Sequence, residues 1–137
     1  MTPAALAELH AECFETPRPW SAAEFEALLN TAFVKTAPQG FAMGRVIADE
    51  AELLTLAVAP KARRAGVGSG LMEAFLATSK DKGAASAFLE VAADNVAALA
   101  LYGRHGFAAA GRRKAYYIKP DGSKLDAVIM TCPLIAR

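Results

Sequence analysis

The segment Val58-Ala59-Pro60-Lys61-Ala62-Arg63-Arg64-Ala65-Gly66-Val67-Gly68-Ser69-Gly70 has the make-up of an anion site. An apolar run ends, basic residues follow, and a glycine-rich turn opens a stretch with helical periodicity. The first N–H groups of a helix lack internal partners and carry partial positive charge. Glycines let a ligand come close to that backbone. The combination suits a phosphate, and Lys61, Arg63 and Arg64 add formal charge nearby. The same residues also fit a plain glycine-rich turn with solvated arginines. Two phosphate-binding patterns do not match. A P-loop ends in Gly-Lys-Ser/Thr, whereas the residues here are Gly68-Ser69-Gly70. The dinucleotide fingerprint GxGxxG needs glycine where Leu71 stands, although Glu90 falls 20 residues after Gly70, near the place of a ribose-binding acid.

The elements that must carry this loop follow from periodicity. Leu6, Leu9, His10 and Cys13 form one helical stripe over residues 3–14. Ser21 with Glu24 reads as a capping box that opens a second helix with Phe25, Leu28 and Leu29 inward. The period then changes to two. Residues 33–36 suggest a short strand, 41–48 alternate, and 52–58 form an apolar run stopped at Pro60, so the last two predict an antiparallel hairpin. The glycine-rich loop starts a helix with Leu71, Phe75 and Leu76 inward and Gly83 as its stop. Residues 84–92 read as a buried strand, and Asp94 is placed to cap a helix running to His105 and Gly106. Lys119-Pro120-Asp121-Gly122-Ser123 signals a closing hairpin. The pattern describes one mixed α/β domain spanning residues 1–137.

Bulk properties exclude several classes. With 137 residues, 54% of them hydrophobic, the chain can bury a core without a disulfide or metal staple. A net charge of +1 argues against a nucleic-acid coat. Arg112-Arg113-Lys114-Ala115-Tyr116-Tyr117 is basic and aromatic, but one such cluster on a near-neutral protein is weak ground for a nucleic-acid partner. Cys13 and Cys132 lie far apart and read as buried apolar side chains. His10 and His105 show no metal-ligand spacing and read as structural, so no metal is expected. No apolar run reaches the roughly 18 residues of a membrane span, and no basic n-region starts the chain. A cytoplasmic protein is expected, with no membrane partner.

Arg63-x-x-Gly66-x-Gly68 matches the R/Q-x-x-G-x-G/A motif of the GNAT acetyltransferases, in the same strand-to-helix setting. Leu89-Glu90-Val91, Asn95, Ala100-Leu101-Tyr102 and Gly106-Phe107 follow LEV…N…ALY…GF of the RimI-type ribosomal-protein alanine N-acetyltransferases in order and spacing. Glu52 to Val58, Cys13-Phe14 and Trp20-Ser21 are also similar to that family. The resemblance implies a GNAT-like fold: a central, twisted, mostly antiparallel sheet with a parallel βαβ splay, flanked by helices. It implies acetyl-CoA as cosubstrate, with the backbone of Gly66, Val67, Gly68, Ser69 and Gly70 on the pyrophosphate and Arg63 and Arg64 beside it. Leu56 and Val58 are then expected to pair with the pantetheine, and Asn95 to touch the cofactor. Glu90 matches the family's general base and Tyr102 its general acid. Trp20, Tyr116 and Tyr117 are expected on the peptide-binding wall, although Arg112 to Tyr117 is one residue longer than the family's RRxYY.

The chemistry is compatible with those roles. Acetyl transfer from a thioester needs a neutral amine, a sink for its proton and a donor for the departing thiolate. Apolar neighbours Ala87, Phe88, Leu89 and Val91 would strengthen a carboxylate as a base, acting through water. Asn95 and Tyr102 are seven residues apart, so they share a helix face. A phenol is protonated at neutral pH and can protonate a thiolate. Three readings remain open. The acceptor is the N-terminal alanine of a ribosomal protein, or it is a small amine recruited by acidic residues such as Glu12, Glu15, Glu24 and Glu26, or the chain binds acyl-CoA without catalysis. A monomer or weak dimer is expected in each case.

Overall fold

In the computed structural model, which describes residues 1–63 and 65–134, the first helix (α1, Pro3–Cys13) begins where its sequence allows. Thr2 Oγ1 accepts the Ala5 N–H at 3.1 Å, and Pro3 stands where a missing N–H costs nothing. The second helix (α2, Ala22–Leu28) has the expected capping box: Ser21 Oγ accepts from Glu24 N–H at 3.2 Å, and Glu24 Oε1 accepts from Ser21 N–H at 3.0 Å. Three strands follow: β1 (Phe33–Ala37), β2 (Gly40–Ile47) and β3 (Glu50–Val58). A short 3-10 turn at Pro60–Ala62 leads to α3 (Val67–Asp81), then β4 (Ser86–Ala92), α4 (Val96–Arg104), β5 (Ala108–Ile118) and β6 (Lys124–Pro133).

The six strands form one sheet in the order β1-β2-β3-β4-β6-β5. Every neighbouring pair is antiparallel except β3 and β4, which are parallel. This is the mixed α/β architecture, with a mostly antiparallel sheet, that the sequence implies. Alternation along the strands sends side chains to two cores. Leu53, Leu71, Met72, Phe75, Leu89 and Phe107 fill the α3/α4 side. Leu6, Leu9, Phe25, Phe41, Met43 and Ala57 fill the α1/α2 side.

Gly44 lets β2 pass under α3. A Cβ at Gly44 would clash with Phe75 Cε1 and lie 2.7 Å from Phe75 Cδ1, with Phe33 Cζ at 3.0 Å. Phe75 is fully buried and stacked on Phe33, so the ring has nowhere to go. We expect Gly44→Ala to destabilise the fold by about 1–3 kcal/mol, the usual cost of overpacking. Urea unfolding checks this, and a variant as stable as wild type would show that Phe75 repacks freely.

The cap of α4 differs from the sequence expectation. Asn95, not Asp94, is the N-cap, its Oδ1 accepting from Ala98 N–H at 3.2 Å. Asp94 instead faces Lys119 at 3.7 Å.

Candidate active site

The parallel pairing of β3 and β4 is brief. It joins Glu50–Glu52 to Ser86–Phe88, and no pairing continues between Leu53–Val58 and Leu89–Ala92. The strands diverge there and open a cleft of about 870 Å³. It is lined by both strands, the N-terminal turn of α3, α4, the end of α1 and the tyrosines of β5.

At one end of the cleft, Gly66 is the N-cap of α3 with φ +81°, a conformation glycine adopts without strain. No side chain caps this helix, so its leading N–H groups face the cleft beside Gly66, Gly68 and Ser69. Gly70 N–H bonds Gly66 O at 3.0 Å, so the free donors precede residue 70. Ser69 Oγ meets His105 Nε2 at 3.1 Å, which ties the start of α3 to the end of α4. The Val67 side chain turns into the core rather than the cleft. Arg63 lines the cleft, but its Nε donates to Val58 O at 3.1 Å, an oxygen that also accepts from Cys13 Sγ at 3.3 Å. Val58, expected with Leu56 to pair with the pantetheine, lines the cleft with its carbonyl already engaged by these two donors. Leu56 and Asn95 both line the cleft, Asn95 with its oxygen engaged as cap and its amide N–H groups making no hydrogen bond among the described residues. Arg64 lies outside the described residues.

At mid-cleft β3 carries one extra residue. Met43 pairs with Thr55 and Gly44 with Leu53, so Leu54 is bulged out of the ladder. A bulged residue leaves its backbone groups unpaired, and Leu54 lines the cleft where β4 has already departed. The sequence reading missed this donor, because an extra residue in a strand shows only against its partner.

Glu90 lies on the opposite wall. Leu89 and Val91 point into the core, and strand alternation turns Glu90 the other way. Its carboxylate is not in apolar surroundings: Oε1 meets Arg113 Nε at 3.0 Å. Arg113 also stacks over the Tyr116 ring at 5.3 Å, and Tyr116 packs edge-on against Tyr117 at 5.1 Å. A bulge arranges this. Four steps of β5, Arg113 to Tyr117, oppose only two of β6, Ala127 to Leu125. Ala115 takes φ +53°, with its N–H on Asp126 Oδ1 at 2.9 Å. The segment that exceeded the family spacing is therefore a looped-out piece of strand that places both tyrosines against the cleft.

Tyr102, from α4, is buried against Phe107 and reaches the cleft. Burial, and secondarily Tyr117, push its phenol above the ordinary range, so it stays protonated. Burial, then Glu90's charge, raise Tyr117 to about 12. Glu90, Tyr117 and Tyr102 all line the same cleft. Trp20 closes the α1 side. Among the described residues, no group of three His, Cys, Asp or Glu side chains could hold a metal, and no helix is long and apolar enough to cross a membrane.

A splayed parallel pair with an uncapped, glycine-led helix beneath it fits a long thioester cosubstrate bearing a pyrophosphate. Comparison with known proteins agrees. Residues 3–107 match the model of the acetyltransferase (GNAT) family. The chain belongs to this family and is an acetyl-CoA-dependent N-acetyltransferase. Within it, the chain is similar to the [ribosomal protein bS18]-alanine N-acetyltransferase of Escherichia coli, 38% identical over 122 residues that cover 85% of this chain and 82% of that protein. The Haemophilus influenzae protein of the same name is 38% identical over 95 residues, 69% of this chain and 64% of that one. The crystal structure of the Escherichia coli enzyme superposes with a TM-score of 0.85 at 33% identity, covering 98% of this chain and 88% of that one.

Proposed function

We propose that the chain, as one domain over residues 1–137, acetylates the N-terminal α-amine of a peptide, with the alanine of a ribosomal protein as its acceptor. The observation that carries this reading is the make-up of the acceptor side of the cleft. It has an aromatic wall of Trp20, Phe14, Tyr116 and Tyr117, and its carboxylates, Glu52 and Glu90, are each held by an arginine. The acidic residues that could recruit a polyamine lie elsewhere. Glu12, Glu15 and Glu26 do not line the cleft, and Glu24 is held by Arg18 at 2.8 Å and by its own helix cap. The ribosomal-protein relatives support the choice of acceptor. A cytoplasmic location and a monomeric or weakly dimeric state belong to the same proposal.

In this reading the N–H groups ahead of Gly70 bind the pyrophosphate, and β3 guides the pantetheine arm into the splay. The amine nitrogen attacks the thioester carbon. The bulged Leu54 N–H faces the oxygen as it gains charge. The new N–C bond leaves a cationic nitrogen, whose proton passes through a water to Glu90. The C–S bond then breaks, and the thiolate takes its proton from Tyr102. Dry surroundings make the phenol a weaker acid, and they strengthen the thiolate's hold on a proton in the same way. An α-amine has a pKa near 7.8 against about 10.4 for lysine, so making it neutral at pH 7 costs about 3.5 kcal/mol less. A modest, ion-paired base suffices for the first and is poorly matched to the second.

Release of free CoA thiol tests the proposal. The acceptors are a peptide beginning with the first residues of ribosomal protein bS18, the same peptide with its α-amine blocked, and a panel of small amines. Turnover with the free α-amine alone is expected. Turnover confined to small amines, or tight acetyl-CoA binding with no turnover, would contradict it.

A further inference from the structure

The acceptor side of the cleft holds a buried hydrogen-bond chain that the transfer chemistry does not use. His10 is 1% exposed and lies between the rings of Phe14 and Trp20, at centroid distances of 4.3 and 5.0 Å. Its Nδ1 meets Trp20 N at 3.1 Å, and its Nε2 meets Thr55 Oγ1 at 3.1 Å. A backbone N–H can only donate, so Nδ1 must be the acceptor and bear no proton. The neutral ring then carries its proton on Nε2 and donates it to Thr55. Burial lowers the His10 pKa to about 4, which keeps the ring neutral at neutral pH, while the Trp20 N–H fixes its tautomer. The Thr55 oxygen is therefore occupied as an acceptor, and its own hydrogen must point elsewhere. No other hydrogen bond of this hydroxyl occurs among the described residues. Thr55 is nearly buried, with 8% of its surface exposed, and it lines the cleft.

The direction follows from the bulge. Thr55 contacts α1 through His10, so its hydroxyl lies on the face of the sheet that carries α1, Phe14 and Trp20. In the proposed reading the thioester arm runs between the strands, which leaves the acceptor the α1 and β5 side, where Glu90 and the tyrosines line the cleft. A hydroxyl fixed as a donor one residue from the Leu54 bulge meets the part of the acceptor just behind its amine. In a peptide, that part is the first carbonyl oxygen.

We propose that Thr55, locked as a donor by the positioning residue His10, binds the acceptor peptide by donating its hydroxyl hydrogen to the first backbone carbonyl. His10 acts only through Thr55. The inference rests on the peptide reading above. It adds a reason for preferring an amine with a neighbouring carbonyl, which simple amines lack.

The test is steady-state kinetics of the full chain with an alanine-first peptide and acetyl-CoA. Thr55→Val removes the hydroxyl at constant shape. It is expected to raise KM for the peptide about tenfold, the effect of leaving a polar group without its partner, with KM for acetyl-CoA within about twofold of wild type. Thr55→Ser keeps the donor and is expected to restore the peptide KM. If valine leaves the His10 N–H too costly to bury, Thr55→Cys carries the same reading, since a thiol accepts weakly and donates poorly. A peptide KM unchanged in folded Thr55→Val or Thr55→Cys would overturn the inference alone, as would a loss confined to acetyl-CoA binding. A wild-type chain that turns over no peptide would overturn the peptide reading and this inference with it.

Discussion

Tyr102→Phe is expected to lower kcat by roughly 10²–10⁴, the range that a positioned general acid contributes. The change removes one oxygen and nothing else. The ring is buried against Phe107, and its hydroxyl opens on the cleft. The fold should stand, with a melting temperature close to wild type. Acetyl-CoA affinity should hold, because in the proposed mechanism the phenol acts on the departing thiolate and not on the bound thioester. A fall in kcat with binding intact would place Tyr102 at the reacting atoms. Undiminished turnover would remove it from the mechanism and turn attention to Tyr117, which lines the same cleft.

Acidification is expected to destabilise the fold strongly through one residue, His10. Its pKa is about 4 in the folded chain, lowered by burial and only partly offset by Glu24, against 6.5 as the ordinary value. Between those values the unfolded chain binds a proton that the folded chain refuses, so stability rises with pH across this window. The contribution is complete above pH 6.5 and is lost as pH falls to 4. It amounts to about 3 kcal/mol, taking 1.36 kcal/mol per pK unit. The structural reason is direct: protonating Nδ1 would set two donors, imidazolium and Trp20 N–H, against each other inside a ring of aromatics. Urea titrations at pH 7 and 4.5 should differ accordingly, and His10→Phe should flatten the difference. An equal pH slope in that variant would assign the acid sensitivity elsewhere. The carboxylate of Glu24, held near 2 chiefly by Arg18, enters only at still lower pH.

Local signals in the sequence were reliable where local physics decides. The capping box at Ser21 and Glu24, the helix start after Gly66 and its stop at Gly83, the stripe on α1 and the two hairpins all appear where spacing placed them. Gly66, Glu90 and Tyr102, far apart in sequence and linked to one another only through the family resemblance, all line one cleft. What was not legible depends on distant partners. Glu90 looks apolar among its chain neighbours, yet its side chain meets Arg113 from a strand two places away in the sheet. Leu54 is an ordinary strand residue until the register of β2 shows it to be extra. His10 has no motif around it, and its role depends on Thr55, 45 residues away. Asp94 and Asn95 are both good caps, and backbone geometry chose the second.

The central claim is that the acetyl group goes to an N-terminal α-amine. The most direct measurement is fragment-ion mass spectrometry of a single peptide that offers both choices. It would begin with alanine, contain an internal lysine, and be incubated with the chain and acetyl-CoA. The account predicts one added acetyl group, on the alanine nitrogen, with the lysine untouched. Acetyl on the lysine, or on neither amine while CoA thiol is released to other acceptors, would contradict it.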